Sequence, residues 1–430
     1  MGSRTSCNEE IGKIMQLNKF IFILILIVIS IFHEGYAEKN TNAESFENTA
    51  TNPKLQIALD KVVNYALNKK DKDGGYITAI SLLAQCGKSI PTVIVGGTNG
   101  INDSTPINEN SIFQIGSITK SFISIVILQI AQENNINIDD NTVILKWFPE
   151  YPKWGHITLR QLMNMTSGIP GYGYRLDDDI FKKFTLNEYT SKIDPTKILD
   201  LTYKLPLHFK PGTRFEYSNT NYTLLGRFIK KVTHNDPEEE VTKRIINKLG
   251  LMNTYFPVDR EDMIPHINKK QLVHGYAFQP KTSEPYPYMP YGADTLSFSL
   301  SDANTGGAMI STPHDINIYL HSIFNADGLF SKYKKQLTTF VSKQTGKPIM
   351  FPTKTDKAGF GLGIIGYYWN KSHPIIYAYN GATDGFNFAL LVDPKSQVYL
   401  VFGINSRADI LNNAEDVFSL FTQVEENCRF

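Results

Sequence analysis

From residue 55 onward the apolar positions follow two alternating periods, and their order along the chain outlines an architecture. The stretch 55–70 (LQIALDKVVNYALNKK) sets Leu55, Ile57, Ala58, Val62, Tyr65, Ala66 and Leu67 at helical spacing, which predicts an amphipathic helix. ITAISLLAQ (77–85) and PTVIVGG (91–97) flank the turn Cys86-Gly87-Lys88 and predict a hairpin. Residues 117–132 predict a helix that is apolar nearly all round, with Phe122, Ile123, Ile125, Val126, Leu128 and Ile130, and so expected to be buried. Residues 158–250 read as helices with long loops, broken at Pro211-Gly212, and the Pro- and Tyr-rich stretch 279–294 reads as a surface loop. A helix near 313–324 is followed by strands at 359–369, 386–394 and 398–404, and a helix at about 412–426 closes the chain. Strands at both ends with helices between them predict an α+β fold. Its sheet is assembled from both chain ends: an α/β sandwich lobe (55–115 and 298–428) and a mainly helical lobe (116–297) inserted into it.

The first 54 residues obey neither period. Phe20–Phe32 (FIFILILIVISIF) is a run of thirteen nearly unbroken apolar positions behind Lys13 and Lys19. A membrane-spanning helix needs about 20 such residues, so the run is short for a span. With Gly35-Tyr36-Ala37 behind it, it reads as a secretory signal over 1–37, cleaved after Ala37. A buried core helix and an uncleaved anchor are the alternatives, and Met15 is a second candidate start. Residues 38–54 are polar and aperiodic, a flexible leader. The expected product is periplasmic or secreted, and meets a membrane only through its export signal.

Composition narrows the function classes. Of 430 residues 42% are hydrophobic, enough for a large core, and three cysteines exclude a disulfide-dense scaffold. The 43 basic residues against 42 acidic ones give a net charge of +1 and no electrostatic reason to expect nucleic acid. There is no His-Glu-x-x-His, no Cys pair at ligand spacing and no Gly-x-Ser-x-Gly elbow, so the sequence lacks the common signatures of a metalloprotease, a cysteine metal site and an α/β-hydrolase. Asp177-Asp178-Asp179 reads as a solvated loop. Tyr286, Tyr288 and Tyr291 either line a cleft mouth or pack within their loop.

Three clusters carry candidate chemistry. Ser117 opens the buried helix and Lys120 lies one turn on, on the same face. A serine hydroxyl needs a neighbouring base, and a desolvated lysine can be one. Ser331 and Lys334 repeat the spacing in a Lys-rich stretch that suits a solvated face, and an N-cap serine beside a snorkelling lysine is the bland reading of Ser117 itself. Tyr217 and Asn219 follow Pro211-Gly212: a tyrosine that could relay a proton and an asparagine that could hold a substrate amide. Tyr368 and Asn370 share their spacing, and a buried tyrosine with a satisfied hydroxyl is the alternative for Tyr217. Third, Tyr379-Asn380-Gly381-Ala382 enters the C-terminal strand pair, either as a plain turn or as an edge along which a substrate backbone could lie.

In this order the three clusters resemble the serine β-lactamase and penicillin-binding-protein family. The likeness is to class C β-lactamases, D-alanyl-D-alanine carboxypeptidases and related esterases and D-aminopeptidases. Further matches run from Ile157-Thr158-Leu159-Arg160 and Thr166-Ser167-Gly168 through Leu249-Gly250-Leu251 to Gly306-Gly307-Ala308, so the resemblance spans about residues 55–426. It implies Ser117 as acyl-enzyme nucleophile, Lys120 as its base and Tyr217 as proton shuttle. Asn219 would bind the substrate amide, the N–H groups of Ser117 and Ala382 would form the oxyanion hole, and no metal and no organic cofactor would be used. It also implies an antiparallel sheet in which the first strand meets the last. That places Cys86 and Cys428 at one edge, where an oxidising compartment would join them. Where the family usually has Lys-Thr-Gly or His-x-Gly, this chain has Tyr379-Asn380-Gly381, which removes a cation expected to greet a substrate carboxylate. Arg407 either compensates or is a surface residue. The implied function is an exported serine hydrolase, D-alanyl-D-alanine carboxypeptidase-like. The small peptide, amide or ester substrate leaves a small-ester hydrolase or β-lactamase as alternatives, and a catalytically silent scaffold as another.

Overall fold

The computed structural model describes residues 52–172, 192–257, 260–278, 290–296, 298–411 and 414–428. Helix α1 (Pro53–Asn68) starts where Asn52 accepts the Leu55 N–H and a proline fills the first turn, so Pro53 and Lys54 belong to the helix and not to a leader. Its buried stripe is Leu55, Leu59, Val63 and Ala66. Strands β1 (Ala79–Cys86), β2 (Thr92–Gly100) and β3 (Asp103–Pro106) form a meander, and the short β4 (Phe113–Gln114) leads towards α2 (Thr119–Glu133). Every residue of α2 from Thr119 to Ala131 is buried, as its all-round apolar pattern demands.

Helix α3 (Asn219–Thr233) packs beside α2, and β5 (Ile310–Ser311) pairs with β4 ahead of α4 (Pro313–Phe324). Two short strands, β6 (Phe340–Ser342) and β7 (Pro348–Ile349), precede β8 (Ala358–Phe360) and β9 (Ile365–Tyr368). The chain then runs through β10 (Ile375–Ala382), β11 (Asn387–Asp393), β12 (Val398–Ile404) and α5 (Ala414–Cys428). The large sheet has ten strands in the order β3-β2-β1-β12-β11-β10-β9-β8-β6-β7, with antiparallel neighbours. β1 pairs with β12 from Ile80–Ile404 to Cys86–Val398, so early and late segments of the chain meet inside the sheet. One core lies between the outer face and α1 and α5; a larger one joins the inner face to α2, α3 and α4. Cys86, at the end of β1, and Cys428, at the end of α5, form a disulfide.

The structure corrects several readings. The run 359–369 is two strands, because Gly361 to Ile364 form a turn closed by the Gly361 N–H on the Ile364 carbonyl. Gly363 sits there at φ +78°, where a Cβ would lie 2.9 Å from the Lys120 carbonyl carbon, so the break seats this turn against the start of α2. Tyr379–Ala382 is the end of a strand and not a turn. The β6–β7 hairpin lacks a sequence signal altogether. Tyr291 packs its ring against Phe278 at 5.3 Å. The signal, residues 38–51 of the leader, Asp177 to Asp179, Tyr286 and Tyr288 lie outside the described residues. Among the described residues no helix is long and apolar enough to cross a membrane.

Candidate active site

Ser117 lies in a 3-10 turn, Gly116–Ile118, that leads into α2, rather than in the helix proper. Gly116 holds φ +50°, and a Cβ there would stand 2.5 Å from the Ala382 nitrogen. From the other side, a Cβ on Gly381 would lie 1.9 Å from the Ile115 carbonyl oxygen. Two glycines therefore let the Ser117 turn and β10 touch backbone to backbone.

Lys120, one turn on, is fully buried. Its ammonium donates to Ser117 Oγ at 3.0 Å and to the Gly306 carbonyl, and stands 5.0 and 5.5 Å from the Tyr217 and Tyr222 ring centres. Burial pulls its pKa below the usual lysine value, with Tyr217 opposing. A lysine so placed is disposed to give up its proton and accept one from a serine. Tyr217 comes from the loop before α3, and its hydroxyl is 2.6 Å from Ser117 Oγ. That loop is fixed by the Glu216 N–H on the Met165 carbonyl. Asn219 opens α3. Its Oδ1 is buried without a hydrogen-bond partner, and both it and Lys120 Nζ lie 3.6 Å from where a Gly306 Cβ would be. An orphaned acceptor at the same spot as the base is a ready partner for a substrate N–H.

The fourth side is β10. β9 pairs with it only over Ile375–Ala378, which leaves 379–382 open along that edge. The Thr383 N–H donates to the Phe386 carbonyl on the β11 side, so by strand alternation the Ala382 N–H points to the open edge, towards the Ser117 turn. With the Ser117 N–H it offers two backbone donors near the nucleophile. Tyr379 is buried, its hydroxyl 3.5 Å from that of Tyr217, and burial pushes its pKa well above the usual tyrosine value. It is a neutral wall of the site. Asn380 alternates to the other side of the strand and is exposed, so its side chain is not among those brought to Ser117.

Ser331 begins a separate 3-10 turn, and Tyr368 ends β9; neither belongs to this cluster. Arg407 is half-buried and donates to Asn387 Oδ1 at 2.8 Å, and Asn387 of β11 pairs with Ala382 of β10. Two features escaped the sequence reading. The Gly306 carbonyl is a backbone group with no side-chain signature. The aromatic floor is the other: Phe360 has its ring 6.2 Å from Tyr217, 6.0 Å from Tyr379 and 5.5 Å from Phe215.

A family model described as Beta-lactamase matches residues 71–417. The curated relative Protein flp of Staphylococcus aureus is 25% identical over 381 residues, covering 87% of this chain and 68% of that protein. Among solved structures, a D-stereospecific amidohydrolase from Streptomyces sp. superposes with a TM-score of 0.64 at 23% identity, over 86% of this chain and 98% of that one. The D-amino acid amidase of Ochrobactrum anthropi SV3, in its complex with L-phenylalanine, reaches a TM-score of 0.68 at 22% identity, over 88% and 100%. At these identities the structural likeness establishes the fold, a β-lactamase/transpeptidase-like α+β architecture.

Proposed function

The chain belongs to the beta-lactamase family of serine hydrolases, and from that premise we propose that it is an exported enzyme that cleaves amide bonds beside D-configured residues through a Ser117 acyl-enzyme. A D-alanyl-D-alanine carboxypeptidase-like action on peptidoglycan-type peptides is the leading form of this reading. The observation that carries the chemistry is the bonded set Lys120 Nζ, Ser117 Oγ and Tyr217 hydroxyl at 3.0 and 2.6 Å. The preference for D-configured amides draws on the solved neighbours, a D-stereospecific amidohydrolase and a D-amino acid amidase. Fold likeness of this kind supports a substrate class without fixing it.

In the proposed cycle Ser117 Oγ attacks the substrate carbonyl while its proton passes to the Lys120 amine. The Ser117 and Ala382 N–H groups hold the oxyanion. The C–N bond then breaks, and the leaving amine takes the proton by way of Tyr217. Water, activated by the same groups, hydrolyses the acyl ester and restores Ser117. Asn219 Oδ1 accepts the N–H of the acyl-side amide.

A fluorophosphonate or a penicillin-type probe should label the protein once. Ser117→Ala should abolish the labelling, while Ser331→Ala should retain it. Loss of Lys120 should cut turnover of D-Ala-D-Ala peptides or D-amino acid amides by several orders of magnitude. Labelling that survives Ser117→Ala would overturn the mechanism. Labelling without turnover of D-Ala-D-Ala peptides, amides, esters or cephalosporins would mark a silent scaffold instead.

A further inference from the structure

The strand position that carries a cation in the resembled family is a neutral, buried tyrosine here, but a second cation approaches the same site from another element. Lys343 follows β6, and its N–H donates to the Ala358 carbonyl, which extends the β6–β8 register by one residue. Val341 pairs with Phe360, so those side chains share a face, and Lys343, two residues beyond Val341, projects to that face as well. Phe360 is the ring against which Phe215, Tyr217 and Tyr379 all pack.

The tip of the hairpin is fastened to the same region. Gly346, at φ +71°, lies so close to the Tyr217 loop that a Cβ would be 2.2 Å from the Arg214 carbonyl carbon and 2.5 Å from the Phe215 nitrogen. Lys343 is half-buried, and its ammonium has no hydrogen bond or ion pair among the described residues. Glu216, the acid on the neighbouring loop, is already held by His208 Nδ1. Burial lowers the Lys343 pKa, and Tyr217 opposes the shift. A partly desolvated ammonium with no counter-charge is an unfavourable arrangement unless an anion completes it.

We propose that Lys343 is a specificity-determining residue: its ammonium forms the cationic wall of the site and receives a carboxylate of the substrate, in place of a charge on β10. This rests on the acyl-enzyme reading of Ser117 given above. It turns the expectation drawn from Tyr379 around, since the site retains a cation for acidic substrates but supplies it from the β6–β7 hairpin. The substrate class it selects is an amide whose leaving group ends in a free carboxylate.

The test compares a D-Ala-D-Ala peptide bearing a free C-terminal carboxylate with the same peptide as its C-terminal amide. Both present the same scissile bond. Lys343→Met should lower the acid-to-amide ratio of kcat/KM by about 10- to 100-fold, the worth of one charge-assisted hydrogen bond. Lys343→Arg should restore most of the ratio, and Lys343→Glu should push it lower still. A structural role for Lys343 would depress both substrates together and leave the ratio where it was, which would overturn the inference. The rates at which a penicillin, which carries a carboxylate, and a neutral fluorophosphonate acylate Ser117 give the same ratio without turnover. If neither probe acylates Ser117, the hydrolase reading itself fails and this inference falls with it. If both do and the variants leave their ratio unchanged, the inference alone is wrong.

Discussion

Lys120 is held in a condition unfavourable to a charged lysine: fully buried, near two aromatic rings and hydrogen-bonded to one hydroxyl and one carbonyl. Its pKa is lowered chiefly by burial, so charging it opposes folding. That penalty is complete below the folded-state pKa, fades as pH rises towards the unfolded value of about 10.4, and is gone above it. Lys120→Met should therefore melt higher than the wild type near neutral pH, by about 0.5–2 kcal/mol, with the gap closing in alkaline buffer while turnover collapses. A variant less stable at every pH would show that the bonds to Ser117 and Gly306 outweigh the cost of burial. At this scale the sequence is legible where chemistry is local. Ser117 and Lys120 are one turn apart on any helix, and Tyr217 stands two residues before Asn219, where a loop enters α3. Lys343 is silent because it follows a three-residue strand, too short to display a period.

At the scale of elements, the site depends on how closely one strand end meets one turn. Gly381 allows it: an alanine would place its Cβ 1.9 Å from the Ile115 carbonyl and 3.0 Å from the Ser117 nitrogen, both of them backbone atoms with nowhere to go. Gly381→Ala should push β10 off the turn, withdrawing the Ala382 N–H from the oxyanion position. Loss of one such donor costs about 100- to 1,000-fold in kcat. The expected outcome is a folded protein by circular dichroism whose acylation by a penicillin probe is slowed by that order. Unchanged acylation would mean that β10 does not supply the oxyanion donor. The long apolar strands β1, β11 and β12 are readable because each is buried along its length. The break between β8 and β9 is not, because an unbroken run of apolar and glycine residues hides a turn whose cause is contact with Lys120, remote in sequence.

At the scale of the whole molecule β1 is tied twice to elements remote in sequence, by the β1–β12 ladder and by the Cys86–Cys428 disulfide, whose partners are 342 residues apart. Cross-linking so long a loop is worth about 3–5 kcal/mol in the chain-entropy view. Cys86→Ser, or reduction of the wild type, should lower the melting temperature, and intact-mass analysis should find no alkylatable thiol before reduction on these two residues. Equal melting with and without reductant would deny the bridge any stabilising role. This pairing was legible only through the family resemblance, since nothing local at residue 86 points to residue 428. Synthesis runs in one direction, however, and the arrangement has a consequence for a newborn chain. β1 is made before every other strand of the sheet, yet its partner β12 is made after all of them, so one edge of an apolar strand waits unpaired while the rest of the sheet is synthesised. Such an edge is a template for pairing with a second chain, and contacts this distant in sequence form slowly. A chain interrupted before Val398 would have its nucleophile but no closed sheet, and its natural fate is capture by a holding chaperone or aggregation rather than partial activity.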